Sequence, residues 1–263
     1  MTQGSSGSAS APVSAATRLD RISLWAGLAA ITALAWWYLI RMPATDVGMA
    51  AMGMPMKTSG LADTALTFLM WAVMMVAMML PTVSPVVLMY AAIARGEGRS
   101  PGLRVWCFVA GYLAAWTMFS VGATLVQELL RRTSMINEAF QSTPGLSAGL
   151  LIGAGLYQLS PIKNACLSSC RSPFSFFMTN WRAGARGAFL MGLTHGGYCI
   201  GCCWLLMALL FVAGVMNLLW IAALGALVLL EKVSRFGPRI VTVAGVAMIA
   251  FGAWLLVGLP RLF

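Results

Sequence analysis

Long uncharged apolar runs alternate along this chain with short polar stretches that carry nearly all of its arginines and lysines. About 20 apolar residues in helical conformation cross a hydrocarbon layer of ~30 Å. The pattern predicts helices over 22–40, 62–80, 105–126, 146–160, 187–213, 218–230 and 240–258. The first, "ISLWAGLAAITALAWWYLI", is too long for the apolar core of a signal peptide and lacks a small-residue cleavage site after it, so it reads as an uncleaved helix. The second ends at Pro81, because proline lacks a helical donor and clashes with the preceding turn; beyond Pro85, "VVLMYAAIA" reads as a bent extension. Residues 187–230 carry no charge other than a partial one on His195. At ~1.5 Å per residue they are about twice as long as one crossing needs, so they divide near Val215–Asn217. The alternating ten-residue segments of a barrel are not seen. The expected fold is all-α, a polytopic helical membrane protein of about seven transmembrane helices. A disordered tail of Ser, Ala, Thr and Gly is expected over 1–20, with a single transmembrane domain over 21–263.

Composition agrees with this reading: 60% of the 263 residues are hydrophobic and 9% are charged. The net charge of +10 raises the possibility of an anionic partner. The basic residues sit at the ends of the apolar runs, however, and form no groove with interleaved aromatics, so nucleic acid is excluded as a partner. With the N-terminus in the cytoplasm, inner segments hold twelve basic residues, and outer segments hold five: Arg41, Lys57, Arg131, Arg132 and Arg261. Basic residues are retained inside, so the N-terminus is expected in the cytoplasm and the C-terminus in the periplasm.

Three clusters carry candidate chemistry. In "THGGYCIGCCWLLM", His195, Cys199, Cys202 and Cys203 follow one another at helical spacing and share an arc of about 100°. Met191 and Met207 extend the stripe by one turn at each end. A helix starting at residue 187 puts Cys199 about 18 Å in, near the bilayer midplane. Cysteine is often only a small buried hydrophobe. A histidine in hydrocarbon is expensive and usually faces a site. Thiols, imidazole and thioethers together select copper(I), or zinc if four close around it. Gly196, Gly197 and Gly201 can let a neighbouring helix approach, break the helix locally, or do both. In "NACLSSCRSP", Cys166 and Cys170 share a helix face in the inner loop after Pro161, where reducing conditions keep thiols available. That spacing suits copper delivery and redox exchange alike; Cys107 reads as core. The third cluster is methionine. Met70, Met74 and Met78 form one stripe and Met75 and Met79 an adjacent one, either as packing or as ligands, while Met49, Met52, Met54 and Met56 crowd an outer loop. Thioethers bind copper(I) where thiols would oxidise.

The runs "MxxAMMLPxxxP" at 75–85, "CLxxCRxP" at 166–173 and "HGxYCxGCCWxLM" at 195–207 resemble a bacterial family described as predicted metal-binding integral membrane proteins, a domain of unknown function. The likeness covers roughly residues 60–255. It implies metal binding at these Cys, His and Met positions, in a multi-pass protein of the bacterial inner membrane.

Motifs for nucleotide hydrolysis, zinc proteolysis and serine hydrolysis are missing, and Glu231 and Lys232 read as an interfacial ion pair at the inner end of the sixth helix. The expected function is therefore non-enzymatic: copper(I) transport, or delivery to a cuproprotein under assembly, with a periplasmic metallochaperone as a possible second partner. Two alternatives stand beside it. One is a membrane thiol–disulfide oxidoreductase with Cys199–Cys202 as active pair and Cys166–Cys170 as shuttle. The other is a scaffold subunit of a membrane assembly.

Overall fold

The structure, a computed structural model, describes residues 10–41, 60–95, 101–135 and 142–258. Its helices are α1 (Ser10–Arg41), α2 (Gly60–Ala94), α3 (Pro101–Arg132), α4 (Pro144–Gln158), α5 (Pro161–Arg171), α6 (Pro173–Asn180), α7 (Gly184–Ala208), α8 (Leu210–Ala213), α9 (Leu218–Val233) and α10 (Gly237–Gly258). Each of the seven predicted segments is helical. Helix α1 starts at Ser10, inside the stretch expected to be a disordered tail; residues 1–9 lie outside the described residues, as does the methionine loop of Met49, Met52, Met54 and Met56.

Among the described residues five helices are long and apolar enough to cross a membrane: Ile22–Arg41, Leu61–Ala94, Gly102–Arg132, Gly184–Ala213 and Gly237–Val257. Helices α4 and α5 make a sixth if the pair, bent by 64°, counts as one span. Helix α9 has 16 residues, which is about 24 Å of rise and less than a full crossing. The distribution of polarity is compatible with an apolar surrounding. Leu34, Trp37, Met118, Leu125, Val243 and Trp254 are exposed, whereas Gln127, Gln158, Lys163, His195, Glu231 and Lys232 are buried.

Helix α2 runs unbroken through both prolines, which corrects the expected end at Pro81. The reason lies in the carbonyls that the prolines strand. Pro81 cannot donate to the Ala77 carbonyl, which instead accepts from Trp36 Nε1 of α1 at 3.2 Å. Pro85 cannot donate to the Pro81 carbonyl, which accepts from Ser84 Oγ at 2.8 Å. Backbone groups in an apolar medium must be satisfied within the protein, and these side chains meet that need.

Helices α3 and α7 are packed backbone to backbone. A methyl group at Gly111 would overlap the Phe189 carbonyl, and one at Gly192 the Phe108 carbonyl. Gly196 faces Ala115 and Gly201 faces Cys166, while α7 stays helical throughout. Close approach is thus the role of Gly196 and Gly201, and the alternative of a local helix break is corrected. The real break comes after α8, where Gly214 takes φ 91° and Asn217 starts α9 by accepting from Trp220 N at 3.1 Å.

The short α9 and the bent α4–α5 pair make the topology sensitive to whether each of them crosses. Lys163 and Lys232 are buried, which removes two of the twelve basic residues from the inner-surface count. Ten remain against five, so the expected orientation keeps its sign. A reporter fused at the N-terminus is expected in the cytoplasm and one after Phe263 in the periplasm. Both ends on one side would mean that one of these two elements turns back.

Candidate functional site

Helix α7 supplies the predicted stripe. Met191, His195, Cys199, Cys202, Cys203 and Met207 are all buried along one face. The thiols of Cys202 and Cys203 turn back on the helix and donate to the Cys199 carbonyl at 3.1 Å and 2.9 Å. The Cys199 thiol points into the bundle, where three other helices meet it. From α3, Tyr112 Oη lies 3.0 Å from Cys199 Sγ, and its hydroxyl also reaches the Met79 carbonyl at 3.2 Å. From α9, Lys232 Nζ donates to Cys199 Sγ at 2.8 Å and to Thr82 Oγ1 of α2 at 3.4 Å. From α5, the buried Cys170 thiol neighbours Cys199 and Cys202.

The arrival of Cys170 corrects the picture of a separate exchange pair in an inner loop. Ser160 caps a new helix by accepting from Lys163 N at 3.2 Å, and the 64° bend folds α5 back onto α7. The buried face of α5 is Lys163, Leu167 and Cys170, an i, i+4, i+7 stripe. A lysine at its head disguises that stripe in the sequence. Cys166 is half-buried, with its sulfur against Gly201 rather than in the cluster.

The expected ion pair between Glu231 and Lys232 is also corrected. Adjacent helical residues point about 100° apart, so the two side chains diverge. Glu231 turns to α4 and α5, where it accepts from Gln158 Nε2 at 2.6 Å and pairs with Lys163 Nζ at 2.7 Å. Lys163 also donates to Gln158 Oε1. Both charged side chains are at most 2% exposed. Arg171 of α5 closes the end of α9, donating to the Glu231 carbonyl at 3.1 Å and the Ser234 carbonyl at 3.0 Å. Lys232 is left to the thiols. It stands in the last turn of α9, and that turn brings its ammonium against Cys199 of α7.

His195 sits one turn from Cys199 in an aromatic box, its ring centroid 5.0 Å from Phe176, 6.1 Å from Tyr112 and 6.2 Å from Phe108. Its Nδ1 is buried without a hydrogen-bond partner. The helix methionines Met70, Met74, Met75, Met78 and Met79 are buried in the apolar core. Met191 Sδ accepts from Arg182 N at 3.3 Å, and Met207 is enclosed at the other end of the stripe. All six cysteines are free thiols. Among the described residues no group of three or more His, Cys, Asp and Glu side chains stands in an arrangement that could hold a metal ion. The site is a buried thiol cluster beside an ammonium. A soft ion able to bind a few thiolates fits that donor set, whereas a four-ligand zinc cage does not match it as it stands.

The sequence reading missed Lys232, Tyr112 and Thr82 as neighbours of Cys199, and Gln158 and Lys163 as partners of Glu231. Proximity of Lys163 to Pro161 and of Lys232 to Glu231 suggested loop and interface positions; nothing in the sequence pairs them across helices.

A family model described as PpoB2, copper chaperone, matches residues 68–255. That segment contains every site residue named above, from Met70 to Lys232. No curated protein matches the chain significantly, and no solved structure does.

Proposed function

The chain belongs to this copper-chaperone family, and from that premise we propose that it is a membrane-embedded copper(I) chaperone that hands its ion to a cuproprotein under assembly. The observation that carries the proposal is the meeting of Cys170 from α5 with Cys199 and Cys202 from α7 in one buried cluster. Thiolates are the preferred ligands of copper(I), and each thiol gives up its proton on binding. Ligands on two helices allow the ion to be passed one bond at a time, so that it is never stripped of all its donors.

In this reading two thiolates at a time, drawn from Cys170, Cys199, Cys202 and Cys203, hold the ion. His195, with its unpartnered Nδ1, is the neutral nitrogen beside them. The outer methionines Met49, Met52, Met54 and Met56 collect or release the ion, and Met70, Met74 and Met78 line its route. The protein works in the bacterial inner membrane. The oxidoreductase alternative requires a partner's sulfur to reach Cys199, which is 1% exposed, and burial of that order stands against it.

Elemental analysis of anaerobically purified protein tests the proposal. Copper close to one equivalent is expected in the wild type, with little zinc. The Cys199→Ser/Cys202→Ser/Cys203→Ser variant should be folded and hold none. A persistent mixture of Cys199–Cys202 disulfide and dithiol, trapped in cells, would favour the oxidoreductase instead.

A further inference from the structure

Lys232 has no role in holding a soft ion by its chemistry, yet it occupies the centre of the thiol cluster. It is buried, and its ammonium touches Cys199 Sγ at 2.8 Å and Thr82 Oγ1 at 3.4 Å. The adjacent carboxylate, Glu231, is committed to Lys163 at 2.7 Å and to Gln158 at 2.6 Å. That pair is neutral in sum. The guanidinium of Arg171 is spent on the Glu231 and Ser234 carbonyls at the end of α9. The thiol cluster therefore faces one uncompensated positive charge in surroundings from which water is excluded. A charge so placed is unfavourable unless something of opposite sign answers it.

We propose that Lys232 is the fixed counter-charge of the metal site and sets its preference for a monovalent ion. This rests on the copper(I) reading above. Copper(I) between two thiolates carries a net charge of minus one, and the ammonium brings the sum to zero. Zinc(II) between the same two thiolates is already neutral, and the ammonium leaves an excess positive charge in an apolar medium. Coulomb energies are large where the dielectric is low, so a single charge is enough to discriminate between the ions. Lys232 forms no bond to the metal. It acts on the ion through Cys199, to whose sulfur it donates, and is a positioning and selectivity residue.

The test compares wild type with Lys232→Gln, Lys232→Met and Lys232→Arg. Each full-length protein is purified anaerobically in detergent, and only the monodisperse helical fraction is titrated. Copper(I), silver(I) and zinc(II) are each measured by competition with a chelator. Silver(I) serves as a second soft ion of the same charge. The neutral variants should bind copper(I) and silver(I) on the order of 100-fold more weakly, the usual consequence of removing one partner of a buried charge pair. Their zinc(II) affinity should hold or rise. Lys232→Arg should stay close to wild type for all three ions. A folded neutral variant with wild-type copper(I) affinity overturns the proposal, and so does an equal loss for all three ions, since a purely structural lysine predicts that. Failure of both neutral variants to fold would assign Lys232 to the fold and overturn it as well. Wild-type protein that takes up no copper(I) would instead remove the copper reading on which the proposal stands.

Discussion

Cys170→Ser is expected to weaken copper(I) binding almost as far as Cys199→Ser, by at least about 100-fold, while Cys166→Ser and Cys107→Ser stay within a few-fold of wild type. Sequence alone would treat Cys166 and Cys170 as one pair. In the structure Cys170 reaches Cys199 and Cys202, whereas Cys166 rests against Gly201 and Cys107 is a half-buried residue of α3. Serine keeps the size of the side chain but offers a poor ligand to a soft ion, so the fold should survive each change. His195→Leu belongs to the same series. Leucine suits the aromatic box of Phe108, Tyr112 and Phe176, so folded protein should be retained and affinity should fall less than with Cys199→Ser. Chelator competition on the anaerobic proteins measures all five. Equal effects at Cys166 and Cys170 would contradict the arrangement of α5 on α7.

The second large effect is expected at a residue with no link to the metal. Lys163→Met should destabilise the protein by about 3–5 kcal/mol, because it leaves the Glu231 carboxyl buried and short of its main partner. Lys163→Met/Glu231→Gln removes both charges and keeps an amide opposite Gln158, so most of the loss should be recovered. Thermal unfolding in detergent reads the difference. The pair also ties α5 to α9, so Lys163→Met should lower copper(I) affinity by loosening the helix that carries Cys170. A single variant as stable as wild type would show that the pair holds nothing together.

The PpoB2 match gives the thiol cluster its chemical context, since the description names copper and the cluster offers the donors that copper(I) prefers. The same match covers Lys163, Glu231 and Lys232, which are not ligands in this reading. Their burial beside the cluster makes the electrostatics of the site as much a property of the fold as its sulfur atoms.

Some of this was legible before any folding was considered. The helices over 105–126, 187–213 and 240–258 follow from runs of apolar residues, because transfer into hydrocarbon is a sum over local side chains. The stripe of His195, Cys199, Cys202 and Cys203 follows from the helical repeat alone. Other features depended on partners distant in the chain. Pro81 reads as a helix end until Trp36 is found donating to the Ala77 carbonyl. Cys170 reads as a loop thiol until α5 folds back by 64°. Lys232 reads as an interfacial residue because the run from 218 to 230 is uniformly apolar, and only the packed bundle shows that α9 ends beside Cys199. Hydropathy and periodicity are properties of neighbours in sequence, and they determined which segments are helices and which faces carry sulfur. Which charge answers which is a matter of distance in three dimensions, and in a medium of low dielectric that pairing was decided only when α5, α7 and α9 came together.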